Sequence, residues 1–64
     1  MVYNIILTCA KYEIQKFITN RNDAIKEYKD YINSSENNPY KPVWIELQFL
    51  TNNDFKTALT AEVK

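Results

Sequence analysis

The sequence predicts a small single α+β domain spanning residues 1–64, in which an antiparallel four-stranded sheet carries one helix on one face. Three observations support this class. Four short segments are rich in β-branched and aromatic residues, a 3.6-residue apolar stripe separates the second from the third, and the one linker-like stretch is too short to separate two domains. The predicted element order is ββαββ, two hairpins joined through the helix.

The first two segments predict the first hairpin. Residues 2–8, Val-Tyr-Asn-Ile-Ile-Leu-Thr, have the composition of a strand. Residues 12–18 are more ambiguous. Read as a strand, they place Tyr12, Ile14 and Ile18 on one face and Phe17 on the other, with Lys16 interrupting the first set.

A second interpretation makes residues 11–33 mostly helical, which gives a β-α(α)-ββ order. It depends on a self-similarity, because residues 14–20 resemble residues 28–34. Residues 19–23 oppose it, since their short polar side chains compete with the helix for backbone hydrogen bonds. We therefore favour a strand, a break and then a helix.

The helix is predicted to begin after Asn20, whose side chain caps the first turn, with Asp23 in the reciprocal capping position. At about 100° per residue, one side of the helix receives the apolar residues Ala24, Ile25, Tyr28, Tyr31 and Ile32. The helix is predicted to end at Asn33, which tolerates the left-handed cap conformation in a chain without glycine.

Residues 43–51 and 55–63 predict the second hairpin, with a turn at residues 52–54. In its first strand, one face receives Val43, Ile45, Leu47 and Phe49, and the other receives Trp44, Glu46 and Gln48. In its second strand, one face receives Phe55, Thr57, Leu59, Ala61 and Val63, and the other receives Lys56, Ala58, Thr60 and Glu62.

The composition excludes several kinds of chemistry. Zero His and one Cys remove the Ser-His-Asp and Cys-His nucleophile systems and a zinc site of Cys and His ligands. Zero Gly removes the phosphate-binding glycine loops. We therefore expect no enzyme, no cofactor and no metal. The formal net charge of zero argues against bulk attraction to nucleic acid.

The length of the chain favours self-association. A domain of 64 residues buries only about 60% of its unfolded surface, so it is marginal without a disulfide, a metal or a second subunit. A homo-oligomer, most simply a dimer, is predicted. No apolar run approaches the ~20 residues of a membrane span and no signal-peptide pattern is evident, so a cytoplasmic location is expected.

The candidate site is the sheet face that the helix leaves uncovered, because one helix covers only one face of four strands. Alternation places an apolar group there, diluted by polar residues: Val2, Ile6, Phe17 and Trp44 among Glu13, Glu46, Gln48, Lys56 and Thr60. Such a group with a mixed-charge rim is typical of protein–protein contacts, in which Trp is a frequent anchor. The predicted partner-binding residues are Trp44, Phe17, Ile6, Val2, Glu46 and the loop residue Tyr40.

Two other functions are compatible with the same residues. A nucleic-acid or nucleotide binder would stack bases on Tyr12, Tyr40 and Trp44, beside the basic residues Lys11, Lys16 and Lys41. The interleaving of those lysines with acidic residues disfavours it. A purely structural subunit would bury the aromatic face permanently in an assembly.

Eight Asn and seven Lys occur in this chain, which has no Gly and no His. In this composition it resembles the small accessory proteins of bacteriophages and other mobile elements in AT-rich hosts. The resemblance implies a stoichiometric inhibitor of a host protein, for example an anti-defence factor, because such proteins act by binding rather than by chemistry. The expected partner is a host protein; membrane and nucleic-acid partners are not expected.

Overall fold

A computed structural model describes all 64 residues and confirms the predicted ββαββ class. The elements are β1 (Tyr3–Thr8), β2 (Glu13–Ile18), α1 (Arg21–Ser35), β3 (Val43–Thr51) and β4 (Asp54–Val63). The four strands form one antiparallel sheet in the order β2-β1-β3-β4. The mostly helical interpretation of residues 11–33 is wrong, because β2 pairs along its whole length with β1. No helix is both long and apolar enough to cross a membrane.

Helix α1 begins as predicted and ends later than predicted. The side chain of Asn20 accepts a hydrogen bond from the backbone N–H of Asp23 at 3.1 Å, which confirms the N-cap. Asn33 does not adopt the left-handed cap conformation, so that prediction is wrong. The helix continues for two residues to Ser35, a buried residue whose Oγ donates to the carbonyl oxygen of Tyr31 at 2.6 Å.

The core lies between α1 and one side of the sheet, which we call the helix face. The inner strands β1 and β3 supply most of it, with Ile5, Val43 and Ile45 almost completely buried. The helix contributes Ala24 and Tyr28 at the centre, and its other predicted apolar residues, Ile25, Tyr31 and Ile32, pack partly buried around them. The predicted stripe is thus the side of α1 that packs on the sheet.

The β3–β4 turn uses two residues in the left-handed region, Asn52 with φ 50° and Asn53 with φ 64°. A two-residue hairpin turn of this kind needs positive φ at both positions, and Asn tolerates that conformation better than other residues with a Cβ. The second hairpin therefore forms where the sequence predicts it, without glycine.

Strand β4 contains a bulge that alternation alone does not predict. Leu47 pairs with Leu59, but the next residue, Gln48, pairs with Thr57, so Ala58 is an extra residue in β4. From the bulge to the turn, the two faces of β4 are therefore exchanged relative to the prediction. Phe55 and Thr57 lie on the side away from α1, whereas Lys56 pairs with Phe49 on the helix face. The predicted faces of Phe55, Lys56 and Thr57 are wrong for this reason.

The side of the sheet away from α1 is called the open face. Its residues lie in rows across β2, β1, β3 and β4, as the pairing defines. One row is Phe17, Asn4, Gln48 and Thr57; the next is Gln15, Ile6, Glu46 and Thr60; the last is Glu13, Thr8, Trp44 and Glu62. Val2 and Leu50, joined by a 2.8 Å hydrogen bond from the Leu50 N–H to the Val2 carbonyl oxygen, lie beyond the first row, with Phe55 opposite Leu50.

Candidate functional site

Trp44 projects from the open face near one end of the molecule and is 48% exposed. It lies in β3 opposite Thr8 of β1 and opposite Glu62 of β4. Every second residue of a strand directs its backbone N–H and C=O groups to the same neighbouring strand. Leu50 donates its N–H to Val2, just before β1, so Trp44, six residues earlier on β3, also directs its backbone groups toward β1. Trp44 and Glu62 therefore form a non-hydrogen-bonded pair, the kind in which facing side chains come closest.

Phe17 is the most exposed predicted residue, at 62%, and it contacts another aromatic residue. The Phe17 and Phe55 ring centroids are 6.0 Å apart with a 45° angle between the planes. These residues come from β2 and β4, the two outer strands, so their rings meet across the two inner strands. An aromatic pair at this distance contributes beyond the area it buries.

A chain of polar side chains crosses the open face between Phe17 and Trp44. Asn4 Nδ2 donates to Gln15 Oε1 at 3.3 Å and to Gln48 Oε1 at 3.2 Å. The two glutamines continue the chain, since Gln15 Nε2 donates to Glu13 at 3.1 Å and Gln48 Nε2 donates to Glu46 Oε2 at 3.2 Å. The Thr57 hydroxyl also donates to Glu46 Oε2, so the chain spans all four strands.

Asn4 is the centre of this chain and is only 4% exposed. Because α1 lies on the other side of the sheet, neighbouring side chains on the open face must cover it. Its Oδ1 is buried and accepts no hydrogen bond. The open face therefore has an unused acceptor even in its buried part.

The charged residues of the strands are unequally divided between the two faces. The open face carries the carboxylates of Glu13, Glu46 and Glu62, and no basic residue within the strands lies there. The strand lysines Lys16 and Lys56 are both on the helix face. The one ion pair of the molecule joins Lys16 to Glu27 of α1 at 3.2 Å, so the three open-face carboxylates have no cationic partner.

The remaining predicted site residues do not join Trp44 and Phe17 into a single patch. Ile6 is half-buried at the centre of the open face, and Val2 is half-buried at its Phe17 end. Tyr40 lies in the loop before β3 and packs edge-on against Tyr12, with ring centroids 6.2 Å apart. The Tyr12 hydroxyl accepts from Asn38 Nδ2 at 2.8 Å, which holds that loop against the end of the first hairpin.

Sequence reasoning missed Phe55 and the polar chain. No Gly or Pro marks the bulge at Ala58, so nothing in the sequence signals that Phe55 changes face. The polar chain did leave a signal, because Asn4, Gln15 and Gln48 are amide residues at non-core positions of three predicted strands. Their alignment depends on the strand register, which the sequence does not give.

The two surface depressions are both lined by α1 and lie on the helix side. The larger, about 540 Å³, is an apolar groove beside the start of α1, where Met1, Tyr3, Ile25, Phe49 and Leu59 are among the lining residues. The smaller, about 290 Å³, is mostly charged and includes Lys16 and Glu27. No group of three or more His, Cys, Asp or Glu is placed to hold a metal ion, and Cys9 is buried.

Comparisons with protein-family models, with curated proteins and with solved structures find no match to this chain.

Proposed function

We propose that this chain is a non-enzymatic protein-binding module whose open face is the contact surface. The observation that carries this proposal is the exposure of Trp44 and Phe17 on a sheet face that no helix covers. Large aromatic side chains that are about half exposed or more on one face are typical of interfaces, where Trp is enriched among the anchors.

The dimensions of the molecule favour a polypeptide partner over a small ligand. Specific interfaces bury about 800 Å² per partner, close to a fifth of the 4386 Å² of accessible surface. The broad side of the molecule measures 36 by 20 Å between Cα atoms. A polypeptide that buries this area would cover most of the open face, whereas a small ligand finds no depression there, since both depressions lie on the helix side.

We further propose that binding itself is the activity, so that the chain acts as a stoichiometric inhibitor of a host protein, such as an anti-defence factor. The composition supports this, since an Asn- and Lys-rich chain without Gly or His resembles phage and mobile-element accessory proteins. A titration of the partner's activity, expected to reach complete inhibition near one equivalent, tests the stoichiometric mode.

Capture experiments with substituted chains test the contact surface. Tagged wild-type protein and the variants Trp44→Ala and Phe17→Ala are used to capture partners from host lysate, followed by mass spectrometry. The protein that the wild type retains is expected to be lost with either variant. The matched control is Ile14→Ala, since Ile14 is 43% exposed but lies on the helix face, outside the apolar groove. Retention with both aromatic variants, or an equal loss with Ile14→Ala, would contradict the proposal.

Self-association is a separate proposal, and it uses a different surface. Two copies stacked through their open faces would bring together two surfaces that each carry Glu13, Glu46 and Glu62 without a basic strand residue, which like-charge repulsion opposes. We place the dimer contact at the apolar groove on the helix side, where Leu59 is exposed. Light scattering is expected to give a dimer for the wild type and a monomer for Leu59→Lys. A wild-type monomer at all concentrations contradicts this proposal.

A further inference from the structure

We propose that Trp44, Glu46 and Glu62 form a docking point for a basic side chain of the partner, with arginine preferred over lysine. The inference rests on the proposed binding function and names the chemistry that the open face recognises. The two faces carry unequal charge, and the bulge at Ala58 increases the difference by placing Lys56 on the helix face.

The register brings an exposed indole and two carboxylates together. Glu62 lies directly across from Trp44 in β4, in a non-hydrogen-bonded pair whose Cα atoms are typically about 4.5 Å apart. Glu46 is two residues further along β3 on the same face. A partner side chain resting on the indole therefore lies beside Glu62. Glu46, whose bonds to Gln48 and Thr57 direct its carboxylate toward the Phe17 end, is the next carboxylate along the open face.

Neither carboxylate is neutralised within the molecule. Glu46 accepts hydrogen bonds through Oε2, from Gln48 and from Thr57, and these bonds orient the carboxylate while Oε1 stays unpaired. Glu62 is exposed and makes no side-chain hydrogen bond or ion pair. Lys64 lies beyond the end of β4 and also makes no ion pair, so it does not supply the missing cation.

Guanidinium chemistry matches this arrangement. The planar cation stacks on an indole, which is the best aromatic partner for a cation, while its N–H groups point outward in the plane toward carboxylates. An ammonium group is a strongly hydrated point charge and gains less from the indole. We therefore expect arginine to bind more tightly than lysine.

Charge complementarity also selects among occupants of the open face. The face offers three carboxylates and its strands offer no cation, so an occupant must bring positive charge. A second copy brings the same carboxylates, and a nucleic acid brings phosphates. A basic polypeptide segment meets this requirement.

Trp44 is the only tryptophan of the chain, so intrinsic fluorescence reports on the proposed site directly. The probe is a blocked peptide of Gly-Arg repeats, titrated at low ionic strength into the full-length protein. Saturable quenching or a spectral shift is expected, with affinity that falls as salt is added, because screening weakens exposed ion pairs. A Gly-Lys peptide is expected to bind severalfold more weakly, and a Gly-Glu peptide or an oligo-dT strand is expected to leave the spectrum unchanged.

A matched pair of charge variants separates a local site from a general charge effect. Glu62→Gln is expected to weaken the Gly-Arg peptide by about two- to fivefold, the range for one exposed ion pair. Glu36→Gln makes the same change in net charge on an exposed residue after α1, away from the open face, and is expected to leave the affinity unchanged. Both variants replace an exposed side chain by its isostere, and circular dichroism verifies their folding.

Three outcomes overturn the inference: no response to the Gly-Arg peptide, equal weakening by Glu62→Gln and Glu36→Gln, or a stronger response to oligo-dT. None of these decides the proposed function. If the Gly-Arg peptide gives no fluorescence response while Trp44→Ala still abolishes partner capture, the proposed binding function is retained and only the preference for arginine is rejected. If capture survives Trp44→Ala and Phe17→Ala, the proposed function itself is wrong, whatever the peptide does.

Discussion

The two faces of one sheet use the same alternating strands for different chemistry. The helix face buries aliphatic side chains from the inner strands against Ala24 and Tyr28 of α1. The open face instead aligns amides and carboxylates across four strands, with aromatic rings exposed at both ends. The buried residues that stabilise the fold are thus on one side of the sheet. The exposed aromatic residues that are available to a partner are on the other side, one sheet thickness away.

The largest expected effect on the free energy of unfolding comes from replacing one isoleucine on each face. Ile45 is 1% exposed on the helix face, so Ile45→Ala is expected to lower the free energy of unfolding by about 3 kcal/mol through lost transfer energy and an unfilled cavity. Ile6 is half-buried on the open face, and Ile6→Ala is expected to cost about 1 kcal/mol. Urea unfolding measures both. Equal losses would mean that the open face is as much a core as the helix face.

Much of this arrangement follows from the sequence. The strand segments, the Asn20 cap and the apolar stripe of α1 are local features, and each is found where propensity and periodicity predict it. The helix end is not, because Asn33 is only one of several polar residues able to end a helix, and Ser35 instead stays helical with its hydroxyl bonded one turn back.

The open face was predictable only as far as its strands are regular. Trp44 and Phe17 lie in unbulged strands, so alternation places them on the correct face. Lys56 and Phe55 lie beyond the bulge, where each is on the opposite face from its prediction. The mixed-charge rim expected from the sequence is therefore an acidic one, since Lys56 was its basic member.

The helix cap provides a test that affects stability and spares the open face. Asn20→Ala removes the acceptor for the Asp23 N–H and is expected to lower the free energy of unfolding by about 1 kcal/mol. Arginine-peptide binding at Trp44 is expected to be unchanged at temperatures where the variant is folded. The control Asn22→Ala changes an exposed residue within the first turn, whose side chain makes no hydrogen bond, and is expected to cost little. Similar losses for the two variants would mean that the cap contributes nothing specific.

The aromatic pair on the open face is tested by a double-mutant cycle. Phe17→Leu and Phe55→Leu, alone and combined, isolate the ring–ring interaction from general loss of apolar area. A coupling of about 0.5–1.5 kcal/mol is expected in urea unfolding. Additive effects would mean that the two rings are neighbours without stabilising one another. Either leucine variant alone keeps an apolar side chain at that end of the open face.

The smallest expected effect is a pH dependence that originates on the helix face. Burial raises the pKa of the Tyr28 hydroxyl above its ordinary value of 10.0. In the unfolded chain this phenol ionises first, so its contribution to stability is complete below pH 10 and declines as pH rises from there toward the folded pKa. Tyr28→Phe is expected to reduce the decline in urea midpoint between about pH 9 and about pH 11. The exposed-residue control Tyr40→Phe is expected to keep the wild-type decline, and identical curves for all three proteins would contradict the prediction.

The bulge at Ala58 has a consequence for solubility. Strand β4 is the longest strand, lies at the edge of the sheet, and belongs to a chain whose formal net charge is zero, three conditions that favour polymerisation by edge-to-edge pairing. The extra residue divides that edge into two short stretches, and neither offers a long flat template for an added strand. Deleting Ala58 would straighten the edge, and we expect that variant, unlike the wild type, to form fibrils at zero net charge.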